Sequence, residues 1–440
     1  MSGLGAQLVS YDKYYQEIRS SPALSVKGMV TQVIGMVMEV SGIRPFIGEV
    51  CLVEITGGKP LLAEAVGFRQ GRALLMPLGD LKGVGPGCRV KATGHHFYVK
   101  AGPKILGKVI DGLGNPLQDT LDGEIQNLMV DNSPPNPLER KPIDQVMVTG
   151  VRAIDTLLTC GQGQRIGIFS GSGVGKSTLM GMIARYSEAD VSVIALVGER
   201  GREVGDFLNN DLGAEGLKRS VVVVSTSDRP ALERVKAALV ATAVAEYFRD
   251  QGLKVILMMD SVTRFAMALR EIGLAIGEPP ATKGYTPSVF AALPRLLERS
   301  GTSHFGSITG FYTVLVDGDD FNEPIADAVR GILDGHIVLS RDLAAQNHFP
   351  AIDILNSISR LMPYLIEEEH KEKASQAKDL LSAYAESEDL INIGAYVDGS
   401  NPRVDRAIAY RDRLKEFLCQ DMSISVSWQQ SKEELRALFP

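Results

Sequence analysis

The stretch Ser170-Gly-Ser-Gly-Val-Gly-Lys-Ser-Thr178 decides how this 440-residue chain is read. It follows the apolar run Arg165 to Phe169 and opens the helical segment Ser177 to Tyr186, so a glycine-rich turn joins a strand to a helix. Gly171, Gly173 and Gly175 permit the tight turn, and the backbone N–H groups of Ser172, Val174 and their neighbours converge at a helix N-terminus, where the dipole also favours negative charge. Lys176 supplies a point charge for the β- and γ-phosphates, Ser177 is the expected magnesium ligand, and Thr178 continues the cradle. Such loops usually begin with glycine, and Ser170 stands at that position here; the remaining glycines suffice. The expected ligands are ATP and Mg2+.

Around the loop, short apolar strands alternate with helices. Arg165 to Phe169, Val191 to Val197, Val221 to Ser225, Val255 to Met259 and Ser307 to Val316 read as strands. Ser177 to Tyr186, Asp206 to Leu212 and Leu232 to Arg249 read as helices, an order that predicts a mostly parallel, helix-covered sheet. The strand ending at Asp260 places a carboxylate where magnesium's water shell would lie, although many such residues only cap the next turn. Gly198-Glu-Arg-Gly-Arg-Glu203 follows another strand; Glu199 is the candidate base, and spacing leaves Glu203 open as the alternative and Arg200 or Arg202 as mere ion-pair partners. Charge on a transferring phosphoryl group is commonly met by an arginine from a neighbouring subunit, and Arg341 is the best-placed candidate, its spacing being equally compatible with a surface ion pair. Phe349 is positioned to stack on adenine or to serve the core.

Residues 24–98 carry β-branched runs broken by glycine, Val30 to Val40, Glu49 to Ile55, Ala63 to Phe68, Ala73 to Pro77 and Arg89 to Ala92, which predict a small closed β-barrel. Before them, in residues 1–23, Leu8, Tyr11, Tyr15 and Ile18 form one helical stripe, read as a partner-binding or self-packing helix. The proline-rich stretch Asp131 to Pro142 is expected to be irregular. Residues 99–360 are assigned to the nucleotide-binding domain and 361–440, charged and periodic, to a helical one. A net charge of -7 argues against a nucleic-acid partner. The cysteines Cys51, Cys88, Cys160 and Cys419 form no metal or disulfide pattern, and no apolar run approaches the roughly 20 residues of a membrane span. A cytoplasmic location, compatible with docking on a membrane complex, is expected.

Taken together, Gly150-Val-Arg-Ala-Ile-Asp155, the phosphate loop, Val197-Gly-Glu-Arg-Gly-Arg-Glu-Val204, Asp260-Ser-Val-Thr-Arg264 and Gly277-Glu-Pro-Pro-Ala-Thr-Lys-Gly-Tyr-Thr-Pro-Ser-Val-Phe290 resemble the RecA-like catalytic subunits of rotary ATPases and their type III secretion relatives. The wording of Asp317-Gly-Asp-Asp320, Pro324-Ile-Ala-Asp327 and Glu388-Asp-Leu-Ile-Asn-Ile-Gly-Ala-Tyr396 is most similar to the flagellar export branch, with injectisome ATPases next. The resemblance implies an α/β RecA-like P-loop core with an N-terminal small β-barrel and a C-terminal helical domain. It implies Glu199 as the catalytic carboxylate with Arg200 beside it, Arg341 as the trans-acting arginine, and Phe349 at the adenine. It further implies a homohexameric ring, a stator-like regulator on the N-terminal tail, a central stalk near Tyr285 to Arg299, and export chaperones, cargo and a membrane export gate as partners. A rotary ion-pump subunit, an RNA helicase and a non-catalytic nucleotide-binding module are the competing readings.

Overall fold

The structure, a computed structural model, describes residues 11, 14, 15, 17, 26–55, 57–118, 120, 123–316 and 323–439. By its internal contacts the chain divides into two units, residues 1–96 and 97–440.

The first unit is a closed antiparallel barrel of β1 (Lys27–Ile34), β2 (Val37–Ser41), β3 (Glu49–Val53), β4 (Leu61–Arg69), β5 (Arg72–Pro77) and β6 (Arg89–His96), in the order β1-β2-β5-β4-β3-β6. Alternation turns Val30, Met38, Val40, Cys51, Ala63, Leu75 and Val90 inward, where they form the barrel's own core. Val30 to Val40, expected as one strand, is a hairpin: Ile34 pairs with Val37 across a turn whose Gly35 has φ 56°, a left-handed conformation for which glycine carries no Cβ penalty. Of the N-terminal stripe, Leu8 and Ile18 lie outside the described residues, and Tyr11 and Tyr15 are exposed.

In the second unit β7 (Tyr98–Ala101) pairs with β9 (Gln126–Met129), and β10 (Val146–Met147) with β11 (Cys160–Gly161). A nine-stranded sheet carries the core. It comprises β8 (Val109–Asp111), β12 (Arg165–Ser170), β13 (Val191–Val197), β14 (Ser220–Ser225), β15 (Lys254–Asp260), β16 (Gly301–Thr302), β17 (Ser307–Leu315), β18 (Gly335–Leu339) and β19 (Ile352–Ser359). The order is β19-β18-β12-β17-β15-β13-β14-β8, with β16 paired to β17; only β16 and β19 run antiparallel. β12 to β15 and β17 are almost wholly buried, which is why they read as continuous apolar runs. β8, β18 and β19 escaped the sequence reading, since β8 is three residues long and β19 alternates buried with exposed positions. The helix expected over Asp206 to Leu212 begins earlier, at Gly201, and passes through a π-helical segment, Phe207–Leu212.

Helices Glu368–Asn392, Pro402–Leu418 and Trp428–Leu438 end the chain, and Leu380, Leu414 and Leu435 join the same core as Ile154, Met180 and Ile256. Arg152 ties them down: its Nε donates to the Phe417 carbonyl at 2.6 Å and its Nη2 to that of Cys419 at 2.7 Å. The Gln420 side chain accepts from the Arg152 N–H and donates to the Gly150 carbonyl, each at 2.8 Å. Among the described residues no helix is long and apolar enough to cross a membrane.

Candidate active site

Ligands of parallel α/β sheets bind beyond the carboxyl ends of the strands. Here β12, β13, β15 and β17 all deliver residues to one cavity of about 570 Å3, lined by the phosphate loop, Glu199, Asp260, Arg264 and Leu315. Gly173 and Gly175 take φ of 80° and 89°, the left-handed region that other residues rarely adopt, and the helix Lys176–Tyr186 starts immediately afterwards. Ser177 therefore sits in the first helical turn. The Thr178 hydroxyl donates to Asp211 in the π-helical segment.

Lys176 Nζ donates to Asp260 Oδ1 at 2.5 Å and lies 3.7 Å from Glu199 Oε1. The Thr313 hydroxyl donates to the same Asp260 oxygen at 2.7 Å. Two carboxylates, buried Asp260 and half-buried Glu199, thus share one ammonium. Burial first, and then the charge of Asp260, push the Glu199 carboxyl up to about 7 against the opposing pull of Lys176. Glu199 also hydrogen-bonds Glu203, whose carboxylate accepts that bond and is held below the usual range by it. Glu203 lies further out, 48% exposed and 3.4 Å from Arg200, itself 79% exposed at the rim.

Arg264 is a lining residue that the sequence reading quoted without giving it a role. It caps back onto Ser261 through its backbone N–H, and its Nε is buried with no hydrogen-bond partner among the described residues, a donor left over for an anion in the cavity. Its position four residues beyond Asp260 was a usable signal. Thr313 had none, because only the parallel pairing of β15 with β17 brings it beside Asp260.

Phe349 flanks the loop, with ring carbons 3.7 Å from where a Cβ on Gly175 would stand; it is 42% exposed, and its carbonyl accepts from the Gln420 N–H at 2.9 Å. Arg341 follows the capping residue Ser340, and a Cβ on Gly171 would come within 2.5 Å of its guanidinium, so this side chain lies against the phosphate loop of its own chain. Asp317 to Asp320 lie outside the described residues.

Comparison with known proteins agrees with this geometry. Residues 150–359 match the nucleotide-binding domain of the ATP synthase alpha/beta family, 30–94 its beta-barrel domain, and 366–437 the C-terminal domain of the T3SS EscN ATPase. The flagellum-specific ATP synthase of Bacillus subtilis is 59% identical, covering 89% of this chain and 90% of that protein. The chain belongs to the flagellar and type III secretion ATPase family. Its assembled E. coli relative EscN superposes with a TM-score of 0.87 at 46% identity, covering 93% of this chain and 99% of that one, and a second EscN structure, at 0.86, includes the central stalk EscO. The loop, Glu199, Asp260 and Lys176 line one cavity at the carboxyl ends of the strands.

Magnesium fits the same place. Asp260 Oδ1 accepts two hydrogen bonds while Oδ2 accepts none among the described residues, which leaves an oxygen for a metal's water shell. No cluster of three potential metal-ligating side chains occurs among the described residues.

Proposed function

We propose that this chain hydrolyses Mg-ATP to energise flagellar type III protein export, acting as a homohexameric ring around a central stalk. The observation that carries the chemistry is Lys176 held between Asp260 and Glu199 at the end of the phosphate loop. When phosphates enter the cradle, the ammonium exchanges Asp260 for their oxygens. Ser177 and Asp260 would hold the magnesium, which would neutralise phosphate charge when bound. Arg264 faces the same anion from the cavity wall, and Arg341 lies against Gly171 of the loop. Glu199, poised near neutrality, orients the attacking water and takes up its proton as oxygen bonds to the γ-phosphorus and the bond to the ADP oxygen breaks. Glu203 is too exposed for that task and instead tunes Glu199. Phe349 stacks on adenine, and Arg200 orders the rim.

The flagellar assignment is supported by the 59% identity to the Bacillus protein, and the ring and stalk by the assembled EscN structures. The N-terminal tail is assigned to a stator-like regulator, with export chaperones, cargo and a peripheral position at the membrane gate completing the machinery. Deleting the gene in its host should abolish filaments. Loss of injected effectors with motility intact would transfer the protein to an injectisome, the reading favoured by the EscN likeness.

A further inference from the structure

The segment Ser340–Phe349 has a second face. Opposite the phosphate loop it walls a cavity of about 300 Å3, closed on the other side by the helices Glu368–Asn392 and Pro402–Leu418. Leu343, Ile354, Leu380 and Leu414 give it an apolar floor. His348 lines it at only 6% exposure, yet among the described residues no hydrogen bond reaches either ring nitrogen. Lys415 lines the same cavity from an exposed position and, among the described residues, has no carboxylate within salt-bridge distance. Of the other charged groups, Arg411 stacks on Tyr384 at 4.9 Å, Asp353 accepts from Leu355, Asn356 and the Asn356 amide, and the carboxylates of Asp342 and Glu388 also line the cavity. What these two groups lack is an acceptor: a buried imidazole and an exposed ammonium on one cavity wall both stand ready to donate to one.

We propose that this cavity is a regulatory site for a small amphipathic organic anion, an aromatic body bearing one carboxylate or sulfonate, whose oxygens meet Lys415 and His348 while its body covers the leucine floor. The volume is at the lower bound of small-molecule pockets. Occupancy communicates with the nucleotide because the wall is shared. Arg341 rests on Gly171, Phe349 stands beside Gly175, and Leu343 and His348, between them in sequence, face the ligand. Binding at the two sites is therefore linked, and the linkage is reciprocal.

The test titrates the full chain with 8-anilinonaphthalene-1-sulfonate, following its fluorescence with and without saturating ADP. One saturable site is expected. Lys415→Met weakens it by about tenfold, as loss of a charge-assisted hydrogen bond does. Leu355→Trp, which plugs the mouth from a half-exposed position, weakens it at least as much, and neither variant alters dye-free ATPase activity. The uncharged analogue N-phenyl-1-naphthylamine binds about tenfold more weakly. ADP shifts the dye's Kd by about fivefold or more, and the dye shifts that of ADP by the same factor. Unchanged dye affinity in both variants, equal binding of the uncharged analogue, or simple competition with ADP would each overturn the proposal. Binding is read without turnover, so these outcomes are independent of the ATPase reading.

Discussion

The two ends of one sheet treat charge in opposite ways. At the amino ends of the strands, Arg165 and Arg299 each hold a carboxylate in a two-point grip. Arg165 spans both oxygens of Asp334 at 3.0 and 3.1 Å and also meets Glu298, and Arg299 grips buried Glu246 at 2.9 and 2.7 Å while donating to the Val130 carbonyl. At the carboxyl ends, one lysine serves two carboxylates, and Glu199 is driven up to about 7. Saturated pairs hold structure. Charge crowded without enough partners is charge prepared for a ligand, and it marks the end of the sheet where chemistry happens.

The largest expected effect breaks the crowded end. Glu199→Gln should lower kcat by about 10^2- to 10^4-fold while ADP still binds, measured by steady-state turnover beside equilibrium titration. Turnover near that of the parent would take Glu199 out of the catalytic role. Arg299→Met breaks the saturated end instead: stranding Glu246 should cost about 3–5 kcal/mol in urea unfolding, with kcat of the folded protein unchanged. A fall in kcat as large as that of Glu199→Gln would erase the distinction between the two ends.

Thr313→Val tests the support of Asp260. Losing one neutral donor costs about 0.5–1.5 kcal/mol, so kcat/KM should fall by up to about tenfold, and an unchanged value would remove Thr313 from the site. The pH dependence has a defined sign. Glu199 must be ionised to act as base, so kcat/KM should fall below about pH 7, and Glu203→Ala, which removes an acceptor and a like charge, should move that limb to lower pH. Because the folded carboxyl binds its proton more tightly than the unfolded one, this group destabilises the fold increasingly as pH rises from the ordinary carboxylate range to about 7. Glu199→Gln should accordingly melt above its parent at pH 8 and level with it at pH 4. The smallest expected effect is that of Arg341→Ala: a KM for ATP raised by roughly fivefold, about 1 kcal/mol, as loss of an exposed brace would produce.

Legibility followed the range of the interactions. The phosphate loop needs only local spacing, and Ser170 to Thr178 sits between strand and helix as expected. Val191–Val197 was readable to the residue, because a doubly buried strand writes an unbroken apolar run. β19 was not, since an edge strand mixes buried with exposed positions, and the turn at Gly35 passed unseen inside a β-branched stretch. Glu199 and Glu203 looked alike in sequence. Burial separated them, and burial is a property of the assembled sheet.

By itself, then, the sequence determined that a triphosphate would be held at a helix N-terminus by Lys176 and glycine backbone, because loop chemistry is encoded within a few consecutive residues. The tertiary structure decided which charges share that cavity. Asp260, Glu199, Thr313 and Arg264 meet only through the strand order β17-β15-β13 and the helix that follows Asp260. It also turned Arg341 onto its own loop and gave Ser340–Phe349 two working faces, since contacts between segments 170 residues apart depend on packing that no local pattern records.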